Sequence, residues 1–272
     1  MSLHSARSDA VSKLRAAGIE NPAREADLLL RAISGGQLEN DEAAFTPDVE
    51  AAFAAVVARR ARREPLSHIS GRRAFWEHEF HVSADVLDPR PETETLVEVA
   101  LSEPFETVLD LGTGSGCILL SLLAARIDAK GLGVDISHEA LAIAMRNRSD
   151  LALDARAVLK QSDWFAEVDG TFDLIVSNPP YISADAFEAL QPEVRLYEPK
   201  HALTPGGAGL ACYRVIAQQA NRYLTANGRI IVEIGFDQTA AVSAILSEHG
   251  WKKIAITQDL SGHSRVISAK RG

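Results

Sequence analysis

The spacing of apolar residues separates an amino-terminal stretch from the rest of the chain. Before about residue 70, apolar positions recur every three or four residues, as in Val11, Leu14 and Ala17, which is typical of amphipathic helices. Prolines and capping residues mark the predicted helix starts, and glycines mark the ends. These signals are Gly18, Asn21-Pro22, Gly35-Gly36 and Thr46-Pro47. The pattern predicts a small helical domain over residues 1–70.

A short aromatic and β-branched stretch follows the helical part. Phe75, Trp76, Phe80 and Val82 lie close together, and this composition favours a β-hairpin that connects two domains. We assign residues 71–91 to this connection. A stiff polar turn with prolines and acidic residues, 89–94, then leads into a predicted helix.

From residue 92 to 272 the chain alternates between short apolar runs and helical patterns. The predicted strands are Thr107–Leu111, Gly131–Asp135, Ala157–Lys160, Phe172–Ser177, Arg229–Glu233, Lys252–Ile256 and Arg265–Ala269. Such alternation predicts an α/β fold, a doubly wound Rossmann-like sheet that is mostly parallel. The segment between the last two strands is too short for a helical crossover, so we expect one antiparallel strand at the edge.

A rigid polar turn, Asn178-Pro179-Pro180-Tyr181, follows the predicted strand Phe172–Ser177. Ligands of open α/β sheets bind at the carboxyl ends of strands. Asn178 offers a neutral amide oxygen, and the two proline rings fix φ and leave carbonyl oxygens without neighbouring N–H groups. Together with the aromatic face of Tyr181, these acceptors suit a planar NH2 group. The alternative is a tight turn that only ends the strand.

A glycine-rich loop directly follows the first strand of the sheet. Its sequence, Asp110-Leu111-Gly112-Thr113-Gly114-Ser115-Gly116, differs from the Gly-x-Gly-x-x-Gly spacing of dinucleotide sites. A carboxylate at the mouth of the loop repels pyrophosphate and suits an ammonium group. Asp135 at the end of the second strand can accept two ribose hydroxyls, and Asp163-Trp164 after the third can bond and flank an adenine. The arrangement favours S-adenosylmethionine over NAD.

We therefore predict a cofactor site that yields S-adenosylhomocysteine as its product. Its predicted residues are Asp110, Gly112, Thr113, Gly114, Ser115, Gly116, Asp135, Asp163, Trp164 and Asn178.

Composition narrows the classes of partner. The 272 residues are 46% hydrophobic with a net charge of −9, which argues against a protein whose main partner is a nucleic-acid backbone. No secretory signal or membrane-length apolar run is visible, so we expect a cytoplasmic protein. Cys117 and Cys212 have apolar neighbours and are predicted to be buried free thiols. The histidines lack metal-ligand spacing, and we predict no metal.

One basic cluster lies near the predicted domain boundary, at Arg59, Arg60, Arg62 and Arg63. Cations at the carboxyl end of a helix complement its dipole, which favours a solvated helix end. The other interpretation is a contact for an acidic partner.

From Glu64 to Arg265 the chain resembles the HemK/PrmC-type peptide chain release factor N5-glutamine methyltransferases. The resemblance is carried by Glu64-Pro65-Leu66, Gly71, Phe75-Trp76, Leu87–Glu94, Asp110–Gly116, Val134–Ser137, Ser162–Phe165, Asn178–Tyr181, Tyr197-Glu198-Pro199 and Glu233-Ile234-Gly235. The turn before Thr93 discriminates most, because generic methyltransferases lack it. The chain departs from the family pattern at Asp88 and Ala208, which puts local packing in question and not the chemistry.

The resemblance implies a class I methyltransferase that methylates the glutamine amide nitrogen in the Gly-Gly-Gln loop of release factors. Asn178 Oδ1 and the Pro179 carbonyl would each accept one N–H of that amide, Pro180 would stiffen the turn, and Tyr181 would pack on the amide plane. We expect a monomer whose helical domain recognises the release factor, without direct nucleic-acid contact. Two alternatives remain: an exocyclic-amine methyltransferase acting on adenine or guanine in DNA or RNA, and a catalytically silent fold that only binds cofactor.

Overall fold

The described residues, 2–35 and 45–272 of the computed structural model, form two compact units. The first unit contains the described residues up to Arg72 together with the segment Gln191–Tyr197. The second unit contains Arg73–Leu190 and Glu198–Gly272. Nothing in the sequence pattern indicated that residues 191–197 belong with the helical unit.

The first unit is helical, as the apolar spacing predicted. Its helices are α1 (Leu3–Ala16), α2 (Pro22–Ser34), α3 (Pro47–Ala61), α4 (Leu66–Ser70) and, in the later segment, α9 (Pro192–Tyr197). The Thr46 hydroxyl caps α3 by accepting from the Val49 amide at 3.4 Å, and Gly35 ends α2 in the left-handed region. Gly36, the other glycine predicted to end α2, lies outside the described residues. Leu14, Leu29 and Phe53 are buried in the core of this unit.

Both interpretations of the arginine cluster are wrong for Arg60, which is buried. Arg60 is 7% exposed and donates to Glu25 and, at 3.1 Å, to Glu193. Arg63 donates to the same Glu193 at 2.8 Å. Glu193 belongs to the segment that joins this unit from far along the chain, so the sequence neighbourhood of the arginines did not reveal their partner. These ion pairs attach the segment to the helices.

The second unit is built on a seven-stranded sheet within the described residues. Its strands are β3 (Thr107–Leu111), β4 (Lys130–Asp135), β5 (Ala157–Gln161), β6 (Phe172–Ser177), β7 (Leu224–Glu233), β8 (Lys252–Gln258) and β9 (Ser264–Lys270). They lie side by side in the order β5-β4-β3-β6-β7-β9-β8. The helices of this unit are α5 (Glu94–Leu101), α6 (Cys117–Ala125), α7 (His138–Asp150), α8 (Ala184–Glu188), α10 (Lys200–Leu203), α11 (Ala211–Gln219) and α12 (Thr239–Glu248). The predicted doubly wound, Rossmann-like sheet is confirmed.

The antiparallel pairing expected at one end of this sheet is also confirmed, with one refinement. β9 runs antiparallel to β7 and to β8, and it lies between them, so β8 forms the edge. The predicted hairpin is present as the pair β1 (Arg72–Phe75) and β2 (His78–His81). The hairpin is shorter than the aromatic stretch suggested.

The strand order places the predicted site at the topological switch point of the sheet, where the chain adds β4 on one side of β3 and β6 on the other. β3 pairs in parallel with β4 on one side and with β6 on the other. Leu111 lies opposite both Val134 and Ser177. The glycine loop, Asp135 and the Asn178 turn therefore leave the sheet side by side, at the kind of crevice where α/β sheets bind ligands.

Two further features were predicted from composition. Cys117 and Cys212 are both buried free thiols. Within the described ranges, none of the helices is both long and apolar enough to span a bilayer.

The Arg60 ion pairs generate a prediction about the stability of the helical unit. Replacing Arg60 by Ala leaves Glu25 and Glu193 without their shared partner. We expect a loss of about 3 kcal/mol in the free energy of unfolding, the lower end of the range for breaking a buried pair. Denaturant titration followed by far-ultraviolet circular dichroism measures it.

Arg7→Ala is the matched control for this experiment. Arg7 and Asp27 form an ion pair with side chains 40% and 53% exposed, and such pairs contribute at most about 1 kcal/mol. Equal losses in the two variants would show that Arg60 does not hold the unit together.

Candidate active site

A cavity of about 350 Å³ opens at the carboxyl ends of β3, β4, β5 and β6. Most residues that the sequence predicted for the cofactor site line it. These are Gly112, Thr113, Gly114, Ser115, Asp135, Asp163, Trp164 and Asn178. Pro180, which the sequence predicted for the substrate turn, lines the cavity as well. The structure thus brings together side chains that lie up to 68 positions apart (112 to 180) in the sequence.

The glycine loop turns back over the ends of two strands. The amides of Gly112 and Thr113 both donate to the Val134 carbonyl at 2.9 Å, and the Gly114 amide donates to Asp135 Oδ2 at 2.9 Å. Gly114 and Gly116 have φ values of 55° and 81°, which side chains with a Cβ rarely adopt. Gly116 then begins α6. The loop therefore presents backbone and no bulky side chain to the cavity.

Asp110 lies beneath this loop and not on the cavity surface. Its side chain is fully buried, and the Thr113 hydroxyl donates to its Oδ2 at 2.7 Å. Burial raises the pKa of the Asp110 carboxyl to about 7. Oδ1 of Asp110 is buried and has no hydrogen-bond partner among the described residues. The structure does not bring Asp110 to the lining, where the sequence analysis expected it to meet an ammonium group.

Asp135 reaches the cavity from the end of β4. Its Oδ2 accepts from the Gly114 amide and its Oδ1 accepts from the Ser137 amide, each at 2.9 Å. Every carboxylate oxygen has room for two hydrogen bonds. Both oxygens of Asp135 therefore keep one acceptor position for the hydroxyls of a ligand, and the two backbone bonds fix the carboxylate plane.

The remaining walls of the cavity are aromatic and apolar on one side. Trp164 is half-buried with φ of 50°, and it packs on the same core as Phe165. Val86, Ile118, Ile136 and Ala140 also line the cavity. Asp163 is exposed at its rim. A flat ligand with polar edges fits such a space, because apolar walls cover its faces while carboxylates meet its edges.

The Asn178 turn is held firmly against the sheet. The Ser177 hydroxyl donates to the Leu111 carbonyl at 2.7 Å, and Pro179 is buried. Asn178 is half-buried, and its Nδ2 donates to the Thr93 hydroxyl at 3.2 Å. Both Asn178 and Pro180 line the cavity, whereas Pro179 does not.

Tyr181 is anchored below the turn and is not part of the cavity lining. Its hydroxyl donates to Glu233 Oε1 at 3.2 Å, and its carbonyl accepts from Gln238 Nε2 at 2.9 Å. Burial raises the pKa of Glu233 to about 7, although hydrogen bonds from Thr93 and Tyr181 and the charge of Arg265 lower it. Burial likewise raises the pKa of the Tyr181 phenol. In this arrangement Tyr181 supports the turn from the protein interior.

Several residues at the site were missed by sequence reasoning. Thr93 and Arg90 line the cavity, and Arg90 donates to both carboxylate oxygens of the buried Glu198 at 2.6 and 2.7 Å. Burial raises the pKa of Glu198 to about 7, against the charge of Arg90. The signal existed, since all three residues and Glu233 fall inside the stretches that carried the family resemblance. Their partners lie too far away in the chain to be assigned from spacing.

The arrangement offers a hydrogen-bond acceptor to a planar NH2 group at the wall of the cavity. Asn178 supplies a neutral acceptor beside a cavity whose glycine loop and Asp135 suit a ribose-bearing ligand. Among the described residues, no cluster of three or more His, Cys, Asp or Glu side chains is placed to hold a metal ion.

Family models match both units of the chain. The model described as the PrmC N-terminal domain matches residues 5–71, and the one described as the Methyltransferase small domain matches residues 74–225. The release factor glutamine methyltransferase of Cereibacter sphaeroides is 48% identical over 269 residues, covering 96% of this chain and 95% of that protein. The protein of the same name from Caulobacter vibrioides is 44% identical, covering 95% of this chain and 92% of that protein.

Solved structures show the same fold at lower identity. A methyltransferase from Pyrococcus furiosus aligns with a TM-score of 0.57 and 16% identity, covering 79% of this chain and 98% of that one. A 16S rRNA methyltransferase of T. thermophilus, solved with AdoMet and guanosine, aligns with a TM-score of 0.52 and 18% identity, covering 74% of this chain and 50% of that one. These two likenesses concern the fold alone.

The loop beside the Asn178 turn generates a prediction about packing. Gly209 has φ of 75°, and a Cβ there would overlap the Tyr181 carbonyl oxygen. Gly206 has φ of 79°, but a Cβ there would meet no other atom within 4 Å. Gly206→Ala should cost about 1–2 kcal/mol of unfolding free energy for its backbone conformation alone.

Gly209→Ala should cost at least about 1 kcal/mol more than Gly206→Ala, because overpacking adds to the backbone cost. Urea denaturation of both variants measures the difference. If the two losses are the same, the contact with the Tyr181 carbonyl does not constrain the turn.

Proposed function

The chain belongs to the release factor glutamine methyltransferase family, and from that premise we propose that it methylates the side-chain amide nitrogen of a glutamine. The glutamine is that of the Gly-Gly-Gln loop in peptide chain release factors, and the methyl donor is S-adenosylmethionine. The observation that carries the proposal is the position of Asn178. Its neutral amide stands in a proline-stiffened turn on the wall of the cavity, beside the glycine loop and Asp135.

The residues around the cavity fit the proposed cofactor. Asp135 keeps one free acceptor position on each oxygen for the two ribose hydroxyls. Trp164 and the apolar wall offer faces for the adenine, and exposed Asp163 meets its polar edge. The open glycine loop leaves room for the amino-acid end of the molecule. When bound, the cofactor supplies an electrophilic methyl group on a positively charged sulfur.

Asn178 addresses the main difficulty of the reaction, which is the weak nucleophilicity of an amide nitrogen. Its Oδ1 would accept one N–H of the substrate amide and orient the nitrogen toward the methyl group. The proposed second acceptor is the carbonyl of Pro179, which belongs to the same turn although Pro179 itself is not part of the cavity lining. In this transfer, positive charge would develop on the nitrogen as the new N–C bond formed and the S–C bond broke. The two fixed oxygen dipoles stabilise this charge. One amide proton then leaves to water, which restores the neutral amide.

A neutral acceptor suits this chemistry better than a carboxylate. The amide needs orientation more than deprotonation, because its N–H is a very weak acid. A carboxylate at position 178 would pair with the charged sulfur instead of accepting a hydrogen bond from the substrate amide. The Glu233 carboxyl is buried beneath this turn, where it accepts a hydrogen bond from the Tyr181 hydroxyl.

Recognition of the release factor needs surface beyond the turn, because two glycines and a glutamine side chain offer little binding area. We assign this task to the helical unit, residues 1–70 of the sequence prediction, with the hairpin. Since release factors act on ribosomes, the proposal includes a cytoplasmic enzyme. It also includes a monomer that makes no direct contact with nucleic acid, consistent with the net charge of −9.

The cofactor part of this proposal predicts the effect of losing Asp135. Asp135→Ala removes the acceptor for both ribose hydroxyls and should weaken S-adenosylmethionine binding by about 1.5–3 kcal/mol, the range for hydrogen bonds to charged groups. Calorimetry on the folded variant measures the affinity. Asp154→Ala, at an exposed position outside the cavity, is the control and should bind normally. Unchanged affinity in Asp135→Ala removes the residue from the site.

The reaction itself is tested by methyl transfer to an intact release factor. Incubation with labelled S-adenosylmethionine should label the glutamine of the Gly-Gly-Gln loop. Mass spectrometry of the peptides will identify the methylated residue. Asn178→Ala should still bind cofactor and should lose turnover by roughly 10²–10³, as when one preorganised polar partner is removed.

Near-normal turnover in Asn178→Ala would show that Asn178 only forms the turn and takes no part in the reaction. Labelling of DNA or RNA in place of protein would overturn the glutamine assignment in favour of an exocyclic-amine methyltransferase. Cofactor binding without labelling of either would indicate the silent fold.

A further inference from the structure

A hydrogen bond joins Asn178 on the cavity wall to the buried side chain of Thr93. The Asn178 amide nitrogen donates to the Thr93 hydroxyl oxygen at 3.2 Å. Thr93 is 2% exposed, so water does not compete for its hydroxyl. The residue closes the short 3₁₀ turn Pro91–Thr93 and stands just before α5.

The Thr93 hydroxyl does not cap α5, although Thr93 stands directly before that helix. A threonine at the start of a helix commonly accepts a hydrogen bond from a backbone amide of the first turn. Here Thr93 has φ of −67° and ψ of −20°, and its side chain makes no such cap. The hydroxyl is committed to Asn178, which is distant in sequence, and the helix start is left without this stabilisation.

Glu233 is the buried carboxyl next to Thr93. It is 1% exposed and accepts from the Tyr181 hydroxyl at 3.2 Å, and Thr93 lowers the pKa of its carboxyl. A carboxyl oxygen is available as an acceptor in either protonation state. Glu233 therefore favours the arrangement in which the Thr93 hydrogen turns toward the carboxyl and the Thr93 oxygen accepts from Asn178.

We propose that Thr93 is a positioning residue for methyl transfer, which holds Asn178 with Nδ2 turned inward and Oδ1 turned toward the substrate. This inference rests on the proposed function, in which Oδ1 accepts an N–H of the glutamine amide. The two ends of an asparagine amide have nearly the same shape, so packing alone does not choose between them. With the amide reversed, its NH2 would face the NH2 of the substrate and no hydrogen bond would form.

Two substitutions separate the hydroxyl from the shape of Thr93. Thr93→Val removes the hydroxyl and keeps the branched side chain, whereas Thr93→Ser keeps the hydroxyl. Thr93→Val should lower kcat by about tenfold to a hundredfold, the factor expected when a buried amide loses its partner. Its affinity for S-adenosylmethionine should stay within about twofold, since Thr93 acts through Asn178. Thr93→Ser should recover most of the rate.

The matched control is Thr95→Val, since Thr95 is also buried in the same region but does not line the cavity. It should leave kcat unchanged. If Thr93→Val does not fold, Thr93→Ala takes its place with the same expected loss, and the thermal midpoint of each variant verifies folding.

A double-mutant comparison tests whether Thr93 acts through Asn178. In an Asn178→Ala background, Thr93→Val should change the remaining rate by less than about twofold, because the interaction is already absent. A further large loss in that background, or a normal kcat in Thr93→Val alone, would overturn the positioning role.

An NMR measurement on the free protein keeps this inference separate from the proposed function. The side-chain amide protons of Asn178, identified by their loss in Asn178→Ala, should exchange slowly with water in the original protein and in Thr93→Ser. They should exchange much faster in Thr93→Val. Equal exchange in Thr93→Val and the original protein contradicts the orientation by Thr93, whatever substrate the enzyme uses. Failure of the original protein to methylate glutamine contradicts the proposed function alone.

Discussion

The proposed reaction depends on one constraint: an uncharged side-chain amide must be held in a single orientation at the end of a buried strand. The register of β3 against β6 brings the Asn178 turn beside the glycine loop, and the Ser177 hydroxyl ties that turn to the Leu111 carbonyl at 2.7 Å. Prolines remove backbone freedom on one side. On the other side, Thr93 takes the amide nitrogen at 3.2 Å and leaves the oxygen for a ligand.

The distribution of carboxyl groups follows from the same constraint. Asp135 lines the cavity and is fixed by two backbone amides, whereas Asp110 and Glu233 are buried behind the lining. Burial raises the pKa of both Asp110 and Glu233 to about 7. Buried carboxyls of this kind are costly unless hydrogen-bonded, and here they accept from Thr113 and from Tyr181. Their role is to anchor the glycine loop and the Asn178 turn from beneath, so that neutral groups face the proposed substrate.

The helical unit is held together in part by ion pairs between residues that lie far apart in the chain. Arg60 and Arg63 both pair with Glu193 within this unit. That glutamate lies in a segment far along the chain, and the ion pairs recruit the segment into the unit. Burying charge costs free energy that a close, well-bonded partner must offset. The unit is therefore specified partly by residues that interrupt the second unit in sequence.

The sequence by itself determined the local elements and the chemistry of the predicted site. Helical apolar spacing and short apolar runs, with glycines and prolines at the boundaries, depend on near neighbours. The starts of α2 and α3 and the strands β3–β6 could therefore be predicted close to their observed bounds. The glycine loop, Asp135 and Asn178 were identified because each directly follows a strand, and parallel strands bring their carboxyl ends together. Tertiary structure decided what depends on partners distant in the chain: β9 lies between β7 and β8, Tyr181 and Asp110 face the interior, and Thr93 contacts Asn178. A side chain's donor or acceptor partner is set by folded geometry, and no local spacing encodes it.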